Sequence, residues 1–247
     1  MKYLLLSIAA ALLFTGNADA SRRKHSTESN FSTKSFLVAT RDGAILKEQA
    51  GDLIVPIASI SKLMVGILAS EQDLNEALSI PRTRTVQSSI PERVATLTRR
   101  ELLTLALVKS DNFAAQILCN NIPSCVENMN YRASRLGMHN TQFREPTGLD
   151  RGNVSTAHDL LKLVMAAGSN STISDISSMP SAEIGKIKVN NTNPLTRTLD
   201  VSLSKTGFTN PAGGCLVMIL GQRIFILLGS RNTQTRVPDA IKLSKEI

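Results

Sequence analysis

The sequence predicts an α+β fold, with an antiparallel sheet drawn from both chain ends, flanking helices, and an inserted helical subdomain over about residues 75–170. Three observations point there. Strand-like apolar segments cluster near the start and again after residue 186. Helix-spaced apolar residues fill the middle. Strand–helix alternation of the doubly wound kind is absent. The 247 residues are 42% apolar, 19% charged and 4% aromatic, which excludes a disordered polyampholyte, a collagen-like chain and a polytopic membrane protein. That length allows one domain with a sizeable core.

The elements follow in order. Residues 1–20 carry Lys2, an apolar run over 3–14 and Ala18-Asp19-Ala20, the pattern of a secretory signal peptide. The chain is therefore expected to be exported, with no stable membrane insertion. Residues 21–34 are polar and basic and read as a flexible tail. Ser35–Thr40 and residues 44–49 read as strands around the turn Arg41-Asp42-Gly43. Leu63, Met64, Ile67 and Leu68 recur at helical spacing, so residues 59–70 read as a buried helix. Thr98-Arg99-Arg100-Glu101 is a capping box, which starts a helix over 99–109. Helices follow over Asn112–Asn120, over 124–136 with Gly137 as stop signal, and over 157–167. Strands return at 186–190, at 200–207 and in a hairpin over 215–229 turned at Gly221-Gln222. Residues 237–247 read as a closing helix.

Charge and cysteines bound the partners. Lys and Arg number 28 against 20 Asp and Glu, a net +8. This suits an anionic polymer or surface, or serves solubility alone. Basic residues do not interleave with aromatics, so no nucleic acid partner is expected. Cys119 and Cys125 would pair in an oxidising compartment or stay free, and Cys215 in its apolar run reads as a buried small hydrophobe. No His lies near the Cys pair, so no metal site is expected, nor any cofactor.

The chemistry must work without histidine. His occurs only at 25, 139 and 158, and no G-x-S-x-G elbow, P-loop or H-E-x-x-H motif is present. Ser59-Ile60-Ser61-Lys62 offers another nucleophile arrangement, since residues i and i+3 neighbour each other on a helix. The S-x-x-K tetrad also occurs at 21–24 and 202–205, but only Ser59 opens an apolar helix. Ser110-Asp111-Asn112 lies between two helices, and Lys205-Thr206-Gly207 ends a strand. Taken singly, these are a helix cap, a turn and a strand end. Together and in this order they form the signature of class A β-lactamases and penicillin-binding proteins.

The chain resembles the low-molecular-mass penicillin-binding proteins, and within them the D-alanyl-D-alanine endopeptidase branch. The resemblance runs from about Ser35 onward. It includes Glu145-Pro146-Thr147-Gly148-Leu149, Asn191-Thr192-Asn193 and Ala212-Gly213-Gly214-Cys215 beside the three motifs. It implies a DD-peptidase/β-lactamase-like fold over 35–247, a periplasmic location, and action on peptidoglycan stems or cross-links, with acylation by β-lactams. It also implies roles. Ser59 would be the nucleophile and Lys62 its base, its pKa lowered by burial and by Lys205. Ser110 would relay the proton and Asn112 would hold a substrate amide. Lys205, Thr206 and Gly207 would line the substrate edge, and the Phe208 N–H would complete an oxyanion hole. Arg236 would bind a carboxylate, unless it is a solvated helix-start residue.

Three other outcomes stay open. A DD-carboxypeptidase is one, which Arg236 favours. A β-lactamase is the second, although Glu145-Pro146-Thr147-Gly148-Leu149-Asp150 departs from E-x-x-L-N, so slow β-lactam release is expected. The third is a non-catalytic wall-binding or penicillin-sensing module.

Overall fold

The computed structural model describes residues 31–247. The expected signal peptide and residues 21–30 of the expected tail lie outside the described residues. Residues 31–34 do not behave as a tail. Thr33 is buried and donates to Asp239 at 2.6 Å, and the Phe31 ring packs edge-on against Phe36. An apolar ring and a hydroxyl with a buried partner hold this segment where composition alone suggested freedom.

The first strands are β1 (Ser35–Thr40), β2 (Ile45–Gln49) and the short β3 (Val55–Pro56). A 3-10 turn, Ala58–Ser61, leads into α1 (Lys62–Ser70). Then come β4 (Ala77–Ser79), β5 (Thr96–Thr98), α2 (Arg99–Thr104), α3 (Asn112–Asn120) and α4 (Cys125–Arg135). β6 (Val154–Ser155), α5 (Ala157–Gly168), α6 (Ser171–Ser178), β7 (Ser181–Ile184) and β8 (Ile187–Asn190) follow. The chain closes with β9 (Val201–Thr209), β10 (Gly213–Leu220), β11 (Arg223–Ser230) and α7 (Arg236–Lys245).

The main sheet has the order β2-β1-β11-β10-β9, all antiparallel, so both ends of the described chain meet in it as expected. Its central strands are apolar on both sides because both sides are covered. Leu37, Ala39, Val217, Ile219, Ile224 and Ile226 face the larger core with α1 and α5. Phe36, Val38, Leu216, Met218, Phe225 and Leu227 alternate with them and face Ala240 and Leu243 of α7. Strand period 2 sorts one continuous apolar run into two separate cores.

Several boundaries differ from expectation. Ser59 sits in the 3-10 turn before α1, not in its first α-helical turn. The helix expected over 99–109 is α2 followed by a π-helical turn, Leu105–Lys109. Helix α5 packs on β1, β10 and β11, so it belongs to the sheet layer and not to the inserted helical part. The strand expected over 186–190 is β8; its partner β7, the pairs β3–β6 and β4–β5 and helix α6 were not anticipated, and all are short. Cys119 and Cys125 are joined as a disulfide between α3 and the start of α4, with their Cα atoms 5.4 Å apart. Cys215 is free and buried.

Candidate active site

Two glycines bring the site together. The backbone around Ser59 is pinched between the 147–149 loop and strand β9. A Cβ on Gly148 would lie 2.0 Å from the Ala58 carbonyl oxygen, and one on Gly207 would lie 2.8 Å from the Ser59 amide nitrogen. Gly148 also has φ +83°, a conformation side chains disfavour. Ala58 itself is held at φ +47° without being glycine, a strained geometry that persists only where the surroundings over-determine it. Ser110 is likewise left-handed, at φ +62°. The π-helical turn before it ends there, with the Asp111 amide reaching back to the Leu105 carbonyl at 3.0 Å.

The first cluster centres on Lys62, which is fully buried. Its Nζ lies 2.8 Å from Ser59 Oγ, 2.7 Å from Asn112 Oδ1 and 2.5 Å from the Thr147 carbonyl oxygen. Ser59 Oγ also donates to the Thr147 carbonyl at 3.2 Å. Burial pushes the Lys62 amine down to about 7, while the charges of Glu145 and Asp111 resist that fall. Asn112, expected to meet a substrate amide, thus has its oxygen on the lysine.

The second cluster centres on Lys205, also buried, on the edge strand β9. Its Nζ donates to Ser110 Oγ and to the Thr206 carbonyl, each at 2.8 Å. Burial lowers its pKa well below the ordinary lysine value, helped by the charges of Lys62 and Arg236. Lys205 was expected to be the cation that depresses Lys62. Burial dominates at both amines, and the neighbouring charge registers at Lys205. Thr206 donates to Thr192 Oγ1 at 2.6 Å, which gives the 191–193 string a place at the rim. The Phe208 side chain is 43% exposed.

Arg236 is neither solvated nor a simple rim residue. It is buried at the start of α7 and donates from a terminal nitrogen to the Gly207 carbonyl at 2.8 Å. Burial lowers its pKa, and the charge sits behind the K-T-G strand.

Residues with no assigned role in the sequence hold these groups in place. The Glu145 carboxylate accepts from the Thr147 amide at 2.6 Å, the Thr147 hydroxyl at 2.5 Å and the Gly148 amide at 2.5 Å. Asn153 Nδ2 donates to Ser61 Oγ at 2.9 Å and to the Glu145 carbonyl at 2.8 Å, tying that loop to the turn bearing Ser59. Asp111 accepts from the Ala114 amide at 2.9 Å, the Ser89 amide at 2.5 Å and the Ser89 hydroxyl at 2.7 Å. The first of these bonds caps α3. The other two hold the 88–89 loop beside Ser110. By sequence S-D-N reads as a turn, and no local signal marks the cap or the loop that Asp111 holds.

A family model described as D-alanyl-D-alanine carboxypeptidase matches residues 22–223. The chain belongs to this family. It is 41% identical over 194 aligned positions to a D-alanyl-D-alanine endopeptidase of Pseudomonas aeruginosa, covering 71% of this chain and 63% of that one. It is 36% identical over 234 positions to a D-alanyl-D-alanine endopeptidase of Escherichia coli, covering 86% and 76%. It thus spans less than two thirds of the Pseudomonas relative. Penicillin-binding protein D2 from Listeria monocytogenes, solved with ampicillin bound, superposes with TM-score 0.80 at 30% identity, covering 87% of this chain and 96% of that one. The Streptomyces K15 DD-transpeptidase superposes with TM-score 0.79 at 24% identity, over 89% and 98%, and shares the fold. The architecture of this family member is the α+β fold of the penicillin-binding DD-peptidases.

Proposed function

We propose that the protein is a serine DD-peptidase that cleaves D-Ala–X bonds in peptidoglycan through an acyl-enzyme, acting as an endopeptidase on cross-links. The observation that carries this is the Lys62 amine, 2.8 Å from Ser59 Oγ and lowered to about 7, so that near neutral pH it can accept the serine proton.

In the first step Ser59 Oγ bonds to the D-Ala carbonyl carbon and its proton passes to Lys62. The carbonyl oxygen takes the negative charge, stabilised by the amides of Ser59 and Phe208. Gly207 leaves room there, since any side chain would crowd the Ser59 nitrogen. The tetrahedral centre then collapses. The C–N bond breaks, and the leaving amine takes a proton through Ser110, to which Lys205 already donates. Water attacks the ester and releases the acid. Asn112 aligns Lys62 and offers its amide end to the substrate. Lys205 and Thr206 receive the substrate's electronegative end, with Arg236 adding positive charge from behind β9.

β-Lactams should acylate Ser59 by the same first step, and release should be slow. The Glu145 carboxylate is engaged by Thr147 and Gly148, which leaves it poorly placed to activate a water. The same occupancy speaks against a β-lactamase. Export to a periplasm is part of the proposal, supported by the sequence pattern of residues 1–20 and by the Cys119–Cys125 bond, which needs an oxidising compartment. Removal of terminal D-Ala is the second reading, favoured by the buried Arg236 charge beside Lys205, which suits a free terminal carboxylate.

Digestion of cross-linked and monomeric muropeptides by the purified protein, with Ser59→Ala as control, separates these readings. Loss of dimers is the expected result. Conversion of pentapeptide to tetrapeptide alone would replace it with the carboxypeptidase reading. No cleavage, with no penicillin adduct on Ser59 by mass spectrometry, would leave only a binding module.

A further inference from the structure

A cleft of about 310 Å³ adjoins the reaction centre, lined by Gln87, Ser88, Ser89, Lys109 and the Ser110-Asp111-Asn112 motif. The mechanism uses Ser110 and Asn112 but leaves the other walls unassigned. Those walls are built, not incidental. Ser88 Oγ donates to Asp111 at 3.0 Å and accepts from the Ile90 amide at 3.0 Å, and Ile90 is buried. Upstream, Thr85 donates to Gln116 of α3 at 3.1 Å. The loop is therefore anchored on both sides of Gln87, whose own side chain is exposed on the cleft wall.

The charge balance within this cleft is uneven. The Asp111 carboxylate is consumed by Ser88, Ser89 and Ala114. Lys109 has no ion-pair partner among the described residues and is exposed on the cleft wall. Asp111 keeps its charge but is buried, with both oxygens turned to Ser88, Ser89 and Ala114, so the charged group exposed on the cleft wall is Lys109, which suits a carboxylate presented on a polar peptide.

We propose that this cleft is a subsite for a carboxylate-bearing portion of the peptide substrate flanking the scissile bond, with Lys109 as its cation and Gln87 as an amide partner. It rests on the peptidase reading for the identity of the peptide. Asp111 acts here as a positioning residue through the loop it holds.

Binding tests it without requiring turnover. Two peptidoglycan pentapeptide stems are compared by calorimetry on full-length Ser59→Ala protein. One has free side carboxylates and the other has them amidated, and both keep the terminal carboxylate. The acid form should bind about fivefold tighter, the scale of one exposed charge pair. Adding Lys109→Gln should close that gap, and Lys109→Arg should keep it. Equal affinity of the two stems, or a gap that survives Lys109→Gln, overturns the subsite. The wild-type protein is labelled with penicillin in parallel. Absence of a Ser59 adduct would overturn the catalytic reading, and the calorimetry would still decide the subsite by itself.

Discussion

Acylation should follow the protonation of Lys62, and the structure supplies the magnitude. A base works in its neutral form, so the rate must rise with pH through the lysine's own pKa. With that pKa at about 7, about half the amine is free at pH 7, about 9% at pH 6 and about 1% at pH 5. At the ordinary value of 10.5 only about 0.03% would be free at pH 7, so burial raises the active fraction there about a thousandfold. The assay is the second-order rate of Ser59 acylation by a fluorescent penicillin between pH 5 and 9. It should climb about tenfold from pH 5 to 6, pass half-maximum near 7 and level off above 8. Lys62→Arg removes the limb, because a guanidinium does not deprotonate, and should cost about 10²–10⁴-fold in rate. A rate independent of pH from 5 to 8, or one still rising tenfold per unit through pH 9, would refute a neutral Lys62 as the base.

Gly207→Ala places a methyl 2.8 Å from the Ser59 nitrogen and should cut acylation about 10²–10³-fold by closing one side of the oxyanion site, read by the same fluorescent label. Asp111→Ala removes a buried acceptor of the Ala114 and Ser89 amides and should lower stability by about 2–4 kcal/mol in urea unfolding, with KM rising more than kcat falls as the 88–89 loop loosens. Cys119→Ser with Cys125→Ser opens a short loop of sequence separation 6 and should cost about 2 kcal/mol, leaving Ser59 acylation in place. Stability should also rise with pH above about 7, because folded Lys62 gives up its proton before the unfolded chain does; a urea midpoint that falls between pH 7 and 9 would contradict this.

The linear motifs named the candidate residues, and the tertiary structure brings their side chains within hydrogen-bond distance of one another in two clusters. Ser59, Lys62, Ser110, Asn112 and Lys205 could be singled out as candidates because each sits in a three- or four-residue pattern whose chemistry is local. Helix α3 has the bounds expected for it; apolar residues recur along it, and the structure adds the Asp111 cap. The Thr147 carbonyl that meets both Lys62 and Ser59 was not, since a backbone acceptor leaves no mark on its own side chain. Helix α6 was missed because its eight residues are mostly Ser and Thr, and only Ile173 and Ile176 mark its buried face. Strand β7, the partner of the expected β8, was missed because it is four residues long and only Ala182 and Ile184 mark its apolar side.

Two buried lysines in one site impose a cost that the rest of the fold must offset. Each amine loses hydration, and the two repel when both are charged. The fold meets this with fixed acceptors: Asn112 Oδ1 and the Thr147 carbonyl at Lys62, Ser110 Oγ and the Thr206 carbonyl at Lys205. Those acceptors would favour charged amines if they were free to follow them, so their fixed positions matter as much as their number. Glu145, itself held by Asn153, fixes Thr147, and Asp111 fixes the start of α3 and hence Asn112. Near neutral pH, then, a proton can leave Lys62 without rearranging its neighbours, which is what a general base requires. Loosening any one of these supports should let Thr147 or Asn112 follow the ammonium, raise the Lys62 pKa and move the acylation limb to higher pH. Glu145→Gln tests this directly, because it keeps the side-chain shape while weakening the hold on Thr147. Removing that carboxylate charge alone would lower the Lys62 pKa, since Glu145 raises it. An upward shift of the limb therefore assigns Glu145 a positioning role, and a downward shift reduces it to a nearby charge.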